Sequence, residues 1–142
     1  MRFDQNENFD FISFLQFEKM TYSQKLEGTK INYPFDEWYE AYDSGLDQYT
    51  DENCDRAKII LDNLIEKLIS LEETAPEEEK IGLFEEAVEL LNILNDENDG
   101  SLIETNESKH LYALFDQIAI AAGLNPEKYG EGKGIASEWS EW

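Results

Sequence analysis

The sequence predicts an all-α fold: a single-domain bundle of about five helices closed by a short C-terminal helical turn. Three observations predict it. Apolar residues recur at steps of three and four, residues suited to helix caps stand at the starts of those stretches, and Gly and Pro punctuate the gaps between them. At 142 residues the chain suits one domain, large enough to bury roughly 68–70% of its unfolded surface without disulfides or metal.

Taken in order, residues 9–22 carry Phe11, Ile12, Phe14, Leu15 and Met20 near helical spacing, and a helix is expected there. Residues 1–34 together are expected to form a looser N-terminal arm or helix. Residues 27–34, EGTKINYP, read as a connector punctuated by Gly28 and Pro34. Pro34 then opens a short helix in which Phe35, Trp38, Tyr39 and Tyr42 share one face, and Asp43-Ser44-Gly45 ends it.

The next helix is the plainest. Thr50 suits its N-cap, and Asp51 and Glu52 complement the positive end of the helix dipole. Cys54, Ala57, Leu61, Leu64, Leu68 and Leu71 then form a stripe that Ile60 and Ile65 widen. Thr74 and Glu77 fit a capping box for a following helix, with Pro76 in its first turn. Ile81, Phe84, Ala87, Val88, Leu91 and Leu94 are its expected buried face. Thr105 or Asn106 can cap a last helix carrying Leu111, Leu114, Phe115, Ile118 and Ala122, which Gly123 stops at C′. Leu124, Asn125, Pro126 and Tyr129 restart a turn, residues 130–134 (GEGKG) read as flexible, and IASEWSEW as a short amphipathic end.

Thirty-three acidic residues stand against 11 basic ones, a net charge of −22. That disfavours direct contact with nucleic acid or an anionic membrane, which recruit clustered Lys and Arg. It does not imply disorder, because Phe, Tyr, Trp, Ile and Leu are plentiful and periodic. Cys54 is the lone cysteine and reads as a small core residue. The N-terminus shows no basic region followed by an apolar run, and no stretch is long and apolar enough for a membrane span. A reducing cytoplasm is the expected setting.

Residues 95–106, NDENDGSLIETN, partly match a calcium loop. Asn95, Glu97 and Asp99 take positions 1, 3 and 5, Gly100 the turn and Leu102 the apolar eighth, but the closing position is Asn106 instead of a bidentate Glu. Asn, Asp and Gly clusters are also ordinary turn chemistry, so a helix–helix connector is the reading favoured, and no cofactor is expected.

The run DGSLIET, then Phe115, Ile118-Ala119, Ala121 and Gly123, and a closing Ile135-Ala136 before a tryptophan, resemble a family of small acidic helical bacterial proteins. That family is catalogued only as a domain of unknown function. The resemblance spans about residues 40–142 and is clearest over 99–124. It weakens at NPEKYGEGKG and over the first 35 residues. It implies a helical cytoplasmic fold of this size and carries over no catalytic residue.

Other chemistries lack their parts. His110 is the single histidine, so neither a triad nor a His-rich zinc site can be assembled. GEGKG has neither the spacing nor the preceding strand of a phosphate loop. Glu78, Glu85 and Glu89 lie near one stripe of their helix, with Glu79 and Glu86 beside it. Like charges at i,i+4 destabilise a helix, so the stripe is not there for helix stability. At the terminus Trp139 and Trp142 stand three apart, either both covering the bundle or one exposed as an anchor. The leading expectation is therefore a non-catalytic acidic protein that binds and inhibits a basic protein. Glu78, Glu85, Glu89, Trp139 and Trp142 would form the contact, and a toxin or a nucleic-acid enzyme would be the partner. The alternatives are a calcium-binding helical protein using residues 95–106, and a housekeeping adaptor whose acidity serves solubility.

Overall fold

Residues 19–142 are described in the computed structural model, and they contain helices and turns but no strand. The helices are α1 (Tyr22–Gly28), α2 (Phe35–Asp43), α3 (Asp51–Leu71), α4 (Glu77–Glu97) and α5 (Thr105–Ala121). A 3₁₀ turn at Thr29–Asn32 follows α1, and three more, Pro126–Lys128, Gly130–Gly132 and Ile135–Glu138, follow α5.

The expected stripes make the core. Cys54, Ala57, Leu61, Leu64, Ile65 and Leu68 of α3 are buried, as are Phe84, Ala87, Val88, Leu91 and Leu94 of α4. Leu111, Leu114, Phe115 and Ile118 of α5 complete it, with the Phe84 and Phe115 rings 6.4 Å apart. Each such Leu, Ile or Phe contributes about 1.5–3 kcal/mol by leaving water. The α3 and α4 stripes face each other, and these two helices form the most extensive pairing. Leu71, Ile60 and Ile81 sit half-buried at its edges. Thr50 caps α3 as expected, its hydroxyl accepting from Asn53 N at 3.1 Å.

Around α2, Tyr33, Phe35, Trp38 and Tyr49 form a chain of ring contacts at centroid distances of 5.1–5.5 Å. The expected aromatic face is narrower than its spacing suggested. Phe35 and Trp38 are buried, Tyr39 is half-buried with its hydroxyl donating to Asp55, and Tyr42 is 45% exposed.

Several boundaries differ from expectation for local reasons. The helix expected over 9–22 lies, up to residue 18, outside the described residues. Lys19 is helical, and a further helix begins at Tyr22, because Thr21 and Gln24 exchange hydrogen bonds as a capping box, and it runs into the expected connector. Thr74 and Glu77 do not form their box. Pro76, at φ −57° and ψ 143°, is itself the N-cap of α4, leaving Thr74 two residues too early. Helix α5 starts after Glu104, not Thr105 or Asn106, since Glu104 and Glu107 complete a box there.

Its other end is as expected. Gly123, at φ +87°, lets its own N–H reach Ile120 O at 3.0 Å and Leu124 N reach Ala119 O at 2.9 Å. Asn125 then caps the next turn by accepting from Glu127 N. Residues 130–134 are a built turn, not a flexible link. Gly130, Gly132 and Gly134 all hold positive φ, and Gly130 N donates to Glu138 Oε1 at 2.6 Å. Among the described residues no helix is long and apolar enough to cross a membrane.

Candidate functional site

The outer face of α4 carries Glu78, Glu85, Glu89 and Asp96 at steps of seven, four and seven, which keep them within one stripe. Glu78, Glu89 and Asp96 are exposed and Glu85 is half-buried. None of the four forms an ion pair with another described residue. The acids on the α3 side of the helix differ. Lys67 Nζ meets Glu86 at 2.6 Å, and the Arg56 guanidinium grips both oxygens of Glu97 at 2.8 and 3.3 Å. That fork holds the Glu97 carboxyl below its ordinary range. Arg56 and Lys67 thus pair with acids along the α3–α4 seam, while the stripe beside it has no ion pair with a described residue.

The C-terminal tail is tied to this stripe by Asn92, a polar residue on the buried face of α4. Asn92 Nδ2 donates to the Trp139 carbonyl and its Oδ1 accepts from Glu141 N, both at 3.0 Å. On the other side, the Tyr112 hydroxyl donates to the Trp142 carbonyl at 2.9 Å and lies 2.6 Å from Ser140 Oγ. The Trp142 ring packs on Tyr112 at 5.2 Å, and its buried Nε1 has no hydrogen-bond partner. Both tryptophans are half-buried and cover the bundle, so neither projects as a free anchor.

Between α4 and the tail lies a cleft of about 360 Å³ lined by Glu89, Asn92, Ile93, Asp96, Trp139 and Glu141. Of the five residues singled out in sequence, the cleft unites Glu89 with Trp139. Glu78 and Glu85 continue the stripe beyond it; Glu78 is 11 residues before Glu89, roughly 16 Å at the helical rise. Trp142 lies on the Tyr112 side. Sequence reasoning missed Asp96, Ile93, Glu141 and the clamp Asn92. The available signal was an asparagine between Leu91 and Leu94 on an apolar stripe, where a buried amide needs partners.

The loop after α4 is differently built from its calcium-like reading. Helix α4 continues through Glu97, so Asn95 and Glu97 are helical. Asn95 is only 6% exposed, and its Oδ1 accepts from Leu102 N at 3.1 Å and Ile103 N at 2.8 Å. Glu97 is held by Arg56, and Asn106 lies in the first turn of α5. Asp99 and Gly100 supply the positive φ that ends α4. Among the described residues no group of three or more His, Cys, Asp or Glu side chains is placed to hold a metal ion.

Asn95→Ala should therefore destabilise the chain by about 2–4 kcal/mol, since two buried N–H groups lose their acceptor. Asn95→Asp, which keeps an oxygen there, should recover much of it. Urea unfolding measures both, and melting should coincide in chelator and in calcium. A calcium-dependent rise in the melting temperature would contradict this account of the loop.

Elsewhere, Cys54 is buried and its thiol is pushed up to about 11, by burial first and then by Asp51 and Asp55. His110 is exposed, 4.0 Å from Glu37. What the fold defines is an all-helical bundle with a stripe of unpaired acids on α4 beside a cleft that Trp139 helps to line. Comparison with known proteins adds no family: no family model, no curated protein and no solved structure matches this chain.

Proposed function

We infer that this protein is a non-catalytic acidic binder that captures a basic protein through the cleft between α4 and the tail, and inhibits it by occupying its cationic surface. One observation carries the reading: two of the unpaired acids of α4, Glu89 and Asp96, meet Trp139, Ile93 and Glu141 in a single cleft. A Lys or Arg side chain of the partner fits that chemistry. Its cation meets Glu89, Asp96 and Glu141, its aliphatic stem covers Ile93, and the Trp139 ring faces the charge. Glu78 and Glu85 extend the negative field along α4 and steer the encounter. A cytoplasmic toxin or nucleic-acid enzyme has the cationic surface required, because such enzymes present Lys and Arg to phosphates.

The test begins with affinity capture from the native host, followed by binding kinetics of the recovered partner at two salt concentrations. The association rate should fall by roughly ten-fold or more between low and high salt, and Glu78→Lys with Glu89→Lys should reproduce that fall at low salt. Trp139→Ala should instead accelerate dissociation. A partner whose binding ignores both salt and charge reversal on α4 contradicts the proposal. Turnover of a substrate by the isolated protein would do so as well.

A further inference from the structure

Between the Thr29–Asn32 turn, α2 and α3 lies a second cleft, of about 490 Å³, with a different balance of charge. Lys30 and Lys58 both line it, in a chain with 11 basic residues against 33 acidic ones. Lys58 has acids within reach along α3, Asp55 three residues before it and Asp62 four after. Both are engaged by tyrosines of the preceding segment. The Tyr39 hydroxyl donates to Asp55 Oδ1, and the Tyr33 hydroxyl donates to Asp62 Oδ1 at 2.8 Å. Lys58 forms no ion pair with a described residue, whereas Lys30 Nζ lies 2.9 Å from Glu27 and 3.9 Å from Asp62. The unpaired lysine shares the cleft with the rings of Tyr33, Phe35 and Tyr39. Ile31, also on its wall, is 87% exposed, more than any other large apolar side chain among the described residues.

We propose that this cleft binds a small organic monoanion, a carboxylate carried on an aromatic or aliphatic body, with its head on Lys58 and its body against Tyr33, Tyr39 and Ile31. The site shares no residue with the cleft beside α4 and stands apart from the inhibitory reading. An unpaired ammonium next to apolar surface orients such a ligand, because the charge fixes the head while the rings and the aliphatic side chain cover the rest. The volume suits a small molecule, whose sites span roughly 300–1,000 Å³. Charge balance holds the ligand to a single negative charge, since Asp36 and Asp62 also line the cleft and set two carboxylates against the two lysines. A long polyanion such as a nucleic acid would have to cross the rest of a surface whose chain carries −22. A small monoanion meets the local lysines instead.

Amide chemical shifts of the full chain, titrated with probes of one shape and different charge, test this: phenylacetate, neutral 2-phenylethanol and cationic 2-phenylethylamine. The field of a chain at −22 favours the amine, so preference for the acid reports the local lysine. Phenylacetate should shift the backbone amides of Ile31, Tyr33 and Lys58, and bind about ten-fold or more tightly than either other probe. Lys58→Gln should remove about ten-fold of that affinity. Lys128→Gln, at another exposed lysine without an ion pair to a described residue, should leave it unchanged. Ile31→Ser should weaken binding by about three-fold, through lost apolar contact. Positions 31 and 58 are both exposed, so the variants keep the fold, which unshifted amide signals along α4 and α5 verify. Equal or tighter binding of the amine in this cleft would overturn the proposal. So would phenylacetate that shifts none of these amides, or that binds the Lys58→Gln chain as well as the parent.

Discussion

Lys80→Met should lower stability by about 2–4 kcal/mol, although it removes a charge from the interior and leaves the apolar stem nearly intact. Lys80 is 4% exposed, and its Nζ donates to the carbonyls of Glu73 and Ala122, both at 2.7 Å. The Tyr22 ring centroid lies 5.2 Å from the same nitrogen. In its own helix Lys80 stands near the N-terminus, the wrong end for a cation; it serves instead the C-terminus of α5, whose last carbonyls carry partial negative charge.

The lysine thereby joins α1, the turn between α3 and α4, and the end of α5 in one contact. Methionine fills the space but cannot donate, and both carbonyls lose a charge-assisted partner. The Tyr22 phenol is pushed above its ordinary range by burial and then by Glu73, so it stays neutral and donates to Leu68 O. Urea unfolding should show a lower midpoint with an unchanged slope. A midpoint equal to that of the parent chain would show that the desolvation of Lys80 cancels its bonds.

Gly134→Ala should produce an effect of similar size, about 2–4 kcal/mol, concentrated on the tail. Gly134 has φ +116° and ψ 162°, a region that residues with a Cβ avoid. An added Cβ would also stand 2.9 Å from both carboxylate oxygens of Asp116. Asp116 is the tail's anchor on α5, its Oδ1 accepting from Ile135 N at 3.0 Å, and Ile135 is fully buried. Displacing that anchor loosens Trp139 and Trp142, so tryptophan emission should shift to the red together with the loss of stability. The cleft would lose its aromatic wall in the same step. Gly132→Ala is the control: its φ is +85° but nothing lies within 4 Å, so only the left-handed strain of about 1–2 kcal/mol applies.

Asp116 also gives a sign for pH. Burial raises its pKa in the folded chain, against the opposing bond from Ile135 N. A raised folded pKa means that its contribution to stability is fully present below the unfolded value and is lost as pH rises through the folded one. Asp116→Asn keeps an acceptor for Ile135 N without the buried charge. It should therefore be at least as stable as the parent at neutral pH, and its advantage should vanish under acid. An Asn variant less stable at neutral pH would show that the charge on Asp116 strengthens the anchor by more than burial costs.

The amphipathic stripes and several stops were legible in sequence because they rest on local chemistry. A step of three or four residues places Leu61, Leu64 and Leu68 on one side whatever surrounds the helix, and Thr50 and Asn125 satisfy backbone groups two or three residues away. Gly123 tolerates a positive φ that other residues resist. For the same reason, sequence was enough to state the helical class and the large excess of acid. The local signals that were misread were close competitors. Thr21 with Gln24 forms the box expected of Thr74 with Glu77, and Pro76 settled the second case by taking the cap itself.

What only the tertiary structure decided involves polar groups whose partners are distant in the chain. Lys80 reads as one more surface lysine until the end of α5, 42 residues on, brings it the Ala122 carbonyl. Asn92 and Asn95 read as polar interruptions of an apolar stripe until the tail and the 102–103 backbone arrive to use their amides. Residues 130–134 read as slack because glycine allows many conformations, and only the approach of Asp116 shows why Gly134 must be glycine. Glu89 and Trp139 share a cleft through the same long-range closure. Sequence periodicity therefore determined which faces are buried, through the geometry of one helix. Which polar atoms meet, and hence where the acidic surface becomes a site, depended on how separate helices pack.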